Sequence, residues 1–356
     1  MKRISLLGIA AVVMLLGTAC GQKNEGVVPM TADTVPAAAE SAVGTEASEA
    51  LEDISEKDGA ETDGADLADT KGVKGDDTAS DSGFEKETAP QKKDWTAQGP
   101  VSIVVENPGR GYYFGGEAAG NEAQAVKLEQ ILQKPNAIVD TEEWFAENDL
   151  EKPYYDVPGL WQDVSGNLPE EIPLEEEGGL TVIGADFDDD WVYVVYGNGY
   201  WEGYVLKIFD RESLLPVGKV DFTAYRYVDD TSYFEQRLWW ARIQDGVLYA
   251  SFGHGTYASG APFHAYVTAV ELDSGRVLWK SEPLVSNAYN FEIIGDILIT
   301  GYGFTQEDDY LYQLDIGTGK IVEQIPVKSK PDYIIRKGDI LYVRTYDTNY
   351  KFQIGD

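Results

Sequence analysis

Tyr310-Leu311-Tyr312-Gln313-Leu314-Asp315-Ile316-Gly317-Thr318-Gly319-Lys320-Ile321-Val322-Glu323-Gln324 is the stretch on which the fold turns. Two runs rich in aromatic and β-branched residues flank a turn of Asp, Thr and two glycines. Such runs suit half-buried pleated surfaces. Asp closes a turn through its own side chain, and Gly supplies the positive φ that a tight reversal needs. The segment reads as strand, turn, strand. Just upstream, Gly295-Asp296 leads into Ile297-Leu298-Ile299-Thr300-Gly301-Tyr302, which adds a further strand before it.

The same layout occurs four times. The second runs are Trp191 to Tyr196, Val247 to Phe252, Ile297 to Tyr302 and Ile340 to Thr345, each entered through an Asp- or Gly-bearing turn. The third runs are Tyr204 to Asp210, Val267 to Asp273, Tyr310 to Asp315 and Tyr350 to Asp356, so their closing aspartates fall 63, 42 and 41 residues apart. Fourth runs follow at Val277 to Lys280 and at Ile321 to Gln324. Four short strands per unit, repeated at this period, predict the blades of a small β-propeller.

Leu314-Asp315-Ile316-Gly317-Thr318-Gly319, the shortened Leu272-Asp273-Ser274-Gly275 with Trp279, and the degenerate Phe209-Asp210-Arg211-Glu212-Ser213-Leu214 resemble the PQQ-like, quinoprotein-type propeller repeat. The resemblance covers roughly Leu180 to Asp356. It implies an all-β propeller of about four to five four-stranded blades over residues 179–356. A short helical or irregular segment (99–178) precedes it. Because the chain stops in a third strand, Val101-Ser102-Ile103-Val104-Val105 is the expected closing strand. Asn121 with Gln124 gives a capping-box start for a helix ending before Pro135, and Thr141 caps a second short helix.

Upstream of residue 99 the texture changes. From Gly21 to Gln98 Ala, Glu, Asp, Thr, Ser and Gly dominate, with Phe84 and Trp95 the only aromatic residues. Such a chain has too little apolar area to offset ordering entropy, so 20–98 is expected to be a disordered acidic linker. Residues 1–19 have the layout of a signal peptide: Lys2 and Arg3, an apolar run from Ile4 to Leu16, then small residues. Leu16-Gly17-Thr18-Ala19-Cys20 resembles a bacterial lipobox, although Gly17 stands where that motif carries a larger aliphatic residue. The resemblance implies lipidation of Cys20 with palmitate-type acyl chains, and a protein held to the cell membrane facing the periplasm or the exterior. Ordinary cleavage after Ala19 would instead release a free thiol.

Composition narrows the function. Cys20 is the only cysteine, so the folded part has no disulfide and no thiolate site. A formal charge of −34 argues against nucleic acid and against anionic headgroups. The two histidines, His254 and His264, fall in one Gly-rich loop and read as surface residues. No Gly-x-Ser-x-Gly elbow occurs. Asp186-x-Asp188-Asp189-Asp190 starts like a calcium loop but has Trp191 at the sixth position and Gly197 at the twelfth, so it reads as a turn. No catalytic residue, metal or cofactor is expected. Quinoprotein dehydrogenases share the repeat, but many carry a vicinal disulfide that this chain cannot form.

The loops after the second runs carry Gly beside aromatic residues: Tyr200 and Trp201, His254 and Tyr257, Phe304, and Tyr346. In a propeller these loops share one face. They are the candidate binding residues, for a protein segment or a saccharide. The reading is a lipid-anchored, non-catalytic binding or scaffold module. The alternative is an extracellular carbohydrate-active or redox enzyme using the same face.

Overall fold

Strand pairing in the structure, a computed structural model, resolves the repeat into blades. It describes residues 100–355 except 109–121, 137–140, 161–165, 177, 200–201, 227–235, 256 and 260–261. Cys20, the expected signal peptide and acidic linker, Tyr200 and Trp201 lie outside the described residues.

The first blade is an antiparallel meander of β4 (Leu180–Phe187), β5 (Trp191–Gly197), β6 (Gly203–Asp210) and β7 (Pro216–Asp221), numbered along the whole chain. The second is β8 (Arg237–Gln244), β9 (Val247–Gly253), β10 (Tyr266–Glu271) and β11 (Val277–Lys280). The third is β12 (Glu292–Ile294), β13 (Ile297–Tyr302), β14 (Tyr310–Asp315) and β15 (Ile321–Pro326). The fourth combines β16 (Pro331–Lys337), β17 (Ile340–Thr345) and β18 (Thr348–Ile354) with β2 (Leu128–Pro135), which pairs antiparallel with β18. The protein is a β-propeller with four blades among the described residues.

Burial follows from this arrangement. The second strand of each blade has neighbours on both faces, and β5, β9 and β13 are almost wholly buried. Fourth strands form the rim: β15 and β2 are mostly exposed or half-buried. Alternation sends β5 two ways, with Trp191, Tyr193 and Val195 packing toward blade two and Val192, Val194 and Tyr196 packing the other way. Separate apolar clusters fill the gaps between blades one and two, two and three, and three and four.

The remaining gap, between blades four and one, is closed by the segment after β2. Helix α1 (Thr141–Glu147) buries Trp144 and Phe145 against Ile335 and Tyr333 of β16. Val157, Leu168 and Ile172 then pack on blade one. The backbone seals the join: Tyr154 bridges Asp186, Tyr155 N–H donates to Ala185 O at 2.8 Å, and the two-residue β3 (Glu175–Glu176) pairs with β4. A wedge therefore occupies the place where a fifth blade would stand.

Two expectations are corrected. The closing strand is β2, not Val101 to Val105. The stretch expected to be a helix after Asn121 is irregular from Glu122 and then becomes β2. Its Leu, Glu and Gln are good helix formers, but propensity amounts to only a fraction of a kcal/mol per residue and yields to the open edge of β18, which offers a full ladder of unpaired backbone groups. Val101–Val104 forms β1, which adds parallel to the outer edge of β7. The helix at Thr141 is found where expected.

The Asp-Gly turns explain how blades register. Asp315 Oδ1 accepts from the Gly317 and Thr318 N–H groups at 2.9 Å each. Position 319 needs glycine twice over: its φ is +72°, and a Cβ there would lie 2.4 Å from the indole of Trp279 on the preceding blade. Trp279 Nε1 donates to Ile316 O at 2.8 Å. One blade earlier the same slot is filled differently: Gly275, at φ +71°, faces Ile103 of β1. β1 thus supplies the apolar plug that a tryptophan supplies elsewhere.

Candidate functional site

The first strands line the axis, and a cavity of about 330 Å³ opens among them. Its wall takes Ile183 to Asp186 from blade one, Arg237, Trp239 and Trp240 from blade two, Tyr289 before blade three, Tyr333 from blade four, and Tyr154 with its neighbours from the wedge. Pairing brings the second-strand loops of blades two and four close to the cavity residues Arg237 and Tyr333, since Arg237 faces Gly253 and Pro331 faces Thr345. A Cβ on Gly253 would lie 2.8 Å from Trp239 Nε1, so the Gly-rich loop is pressed against the cavity wall.

The aromatic residues form a chain around the cavity. Trp239 meets Tyr289 edge-on at 5.8 Å, Tyr289 meets Tyr333 at 5.2 Å, and Tyr333 stacks on Tyr154 at 5.9 Å. Tyr333 Oη donates to Tyr154 Oη at 3.4 Å. Arg237 lies across the Trp239 ring at 4.5 Å and donates to Ile183 O at 2.8 Å. Gly184 makes room for it: a Cβ there would lie 2.8 Å from Nη2. Burial pushes up the phenols of Tyr154, Tyr289 and Tyr333, so all three remain protonated donors across the physiological range.

On the same wall, Asp186 pairs with Arg242, which stacks on Trp240 at 4.0 Å. Burial pushes the Asp186 carboxyl up, against the pull of Arg242. Glu292, in the neighbouring recess with Arg242, is pushed up to about 7 by desolvation. The acidic run is a turn, as expected: Asp188 Oδ1 accepts from Asp190 and Trp191 N–H, and Oδ2 accepts from Tyr193 Oη at 2.6 Å. No group of acids and histidines able to hold a metal ion occurs among the described residues.

The loop residues separate into two sets. Tyr257 and Phe304 meet edge-on at 4.8 Å, and Tyr257 is 43% exposed. Glu307 ties their loops together, accepting from Ala258 N–H at 2.7 Å and Tyr302 Oη at 2.6 Å. Tyr346 stands apart, 81% exposed. Beside these loops the Asp309 carboxyl is pushed up to about 6 by burial and by Asp347, Asp308 and Glu307. The histidine reading needs correction: His254 is half-buried and His264 is fully buried, its Nδ1 accepting from His254 N–H at 3.4 Å. Burial, then His254, holds the His264 ring down at about 4. Neither histidine lines the cavity.

Sequence reasoning passed over Arg237, Trp239, Tyr289, Tyr333 and Tyr154. A usable signal was present: an aromatic residue at or just before the first strand of units two to four. It was overlooked because the second-strand loops carry the more conspicuous glycines.

No family profile matches the chain, and no curated protein matches it. Among solved structures it is similar to the computationally designed Ika4 protein (14% identity, TM-score 0.31, covering 52% of this chain and 99% of that one). BamB from Moraxella catarrhalis is similar at 12% identity and TM-score 0.28, over 49% of this chain and 58% of that one. A europium-containing methanol dehydrogenase is similar at 13% identity and TM-score 0.28, over 46% of this chain and 28% of that one. The chain thus spans little more than half of BamB and under a third of the dehydrogenase. The blades are defined by the strand pairing.

Proposed function

We propose that this protein is a non-catalytic binding module of the bacterial cell envelope, held to the membrane through Cys20 and taking its ligand in the cavity on the propeller axis. One observation carries the reading. Four elements widely separated in sequence each bring an aromatic ring to one concave cavity, the usual form of a binding pocket. The wall pairs no nucleophile with a base, and its two acids, Asp156 and Asp186, are engaged by Lys152 and Arg242. That arrangement supports recognition more than turnover. The rim formed by Tyr257, Phe304 and Tyr346 would extend the contact outward.

The test has two arms. Wild type should enter the detergent phase and Cys20→Ala should not. Immobilised wild type should retain a component of its own envelope extract that Trp239→Ala and Tyr289→Ala lose while their melting temperatures hold. Equal retention by both variants would refute the site.

A further inference from the structure

We infer that the axial cavity binds a neutral saccharide end, one or two sugar rings deep; this rests on the binding reading above and assigns its ligand class. Size sets the first limit. About 330 Å³ lies at the small end of ligand pockets and is too little for a helix or a folded strand pair.

Charge sets the second. Asp156 and Asp186 already face Lys152 and Arg242, so the acids offer no open site for a cation. An incoming cation would also meet Arg237 on the same wall. An anion would meet in Arg237 a guanidinium that already donates to Ile183 O and lies on the Trp239 ring. Neither sign of charge is favoured, and a neutral ligand is.

The lining sets the third. Trp239, Tyr289, Tyr333 and Tyr154 give flat apolar area, and the three tyrosines carry hydroxyls. Arg237 and the Thr141 hydroxyl add further donors on the same wall. A purely apolar ligand would desolvate these groups without replacing their hydrogen bonds. A pyranose has apolar C–H faces and a girdle of hydroxyls, which matches rings bordered by polar groups. Tyr289, 38% exposed, stands where such a ligand would enter.

The experiment uses the full-length protein and neutral di- and trisaccharides built from glucose, galactose, mannose, xylose or N-acetylglucosamine, at up to about 10 mM. A glucuronic acid disaccharide and trilysine serve as charged controls. Saturation-transfer NMR and calorimetry should find at least one neutral sugar that binds. Tyr289→Ala should weaken it about tenfold or more, with Tyr289→Phe in between, while Ile131→Ala on the far rim binds like wild type. Tyr289→Phe keeps the ring, so its loss reads the hydroxyl even if Trp239→Ala fails to fold. Absence of binding by every neutral sugar overturns the inference, as does binding only by a charged control or binding untouched by both Tyr289 variants. If envelope retention still depends on Trp239 while no sugar binds, the ligand class is wrong and the binding reading survives.

Discussion

Gly319 shows how much a single position decides. Its φ of +72° and the indole of Trp279 leave no place for a side chain. Gly319→Ala should cost about 1–3 kcal/mol, as overpacking does, and calorimetry should show a lowered Tm. An unchanged Tm would mean that the interblade turn is looser than described. Two titrating groups make opposite predictions. The Glu292 carboxyl is raised to about 7, so its contribution is full below about 4.5 and is lost as pH rises to 7. His264 is depressed to about 4, so its contribution is full above 6.5 and is lost as pH falls to 4. Relative to wild type, Glu292→Gln should therefore gain stability with rising pH across that window, and His264→Gln with falling pH. Urea melts at pH 4.5, 6 and 7.5 read both slopes, and parallel curves would contradict the burial assigned to these groups. The turn residues could be read from sequence because their chemistry is local. Tyr289 and Tyr333 could not, because what they face depends on where the ring brings distant blades.

Among elements, β2 and the wedge carry the closure. β2 lies far from β18 in sequence yet pairs with it from Leu128–Ile354 to Pro135–Thr348. Hydrogen exchange should show the amides of β2 that point to β18 opening together with those of β18. Faster, independent exchange would place the closing strand elsewhere. The wedge is tested at Trp144, buried against Ile335. Trp144→Ala should cost about 3–5 kcal/mol of stability if α1 is part of the ring, and almost nothing if it is an appendage. The second, third and fourth strands of the repeat were legible because their apolar runs sit between turn signals. β2 was not, since a segment rich in Leu, Glu and Gln favours helix locally, and only the vacant edge of β18 overrides that preference.

At the scale of the whole molecule, the repeat builds the axis and the axis gathers the site. Each blade contributes little at its first strand; only the closed ring makes a cavity of Arg237, Trp239, Tyr289, Tyr333 and Tyr154. For that reason the architecture was legible in the sequence while the cavity was not, and the loop aromatics, whose signal is local, drew attention away from the residues that line it. The most direct test of the account replaces Tyr289 with a benzophenone-bearing phenylalanine in cells and irradiates intact envelopes. The same group at Ile131, 52% exposed on the outer edge of β2, serves as the comparison. Benzophenone inserts into C–H bonds of protein and sugar alike, so the result does not depend on the ligand class. The account predicts a discrete adduct from position 289 that Trp239→Ala abolishes, and none from position 131. Equal labelling from both positions, or labelling from 131 alone, would contradict it.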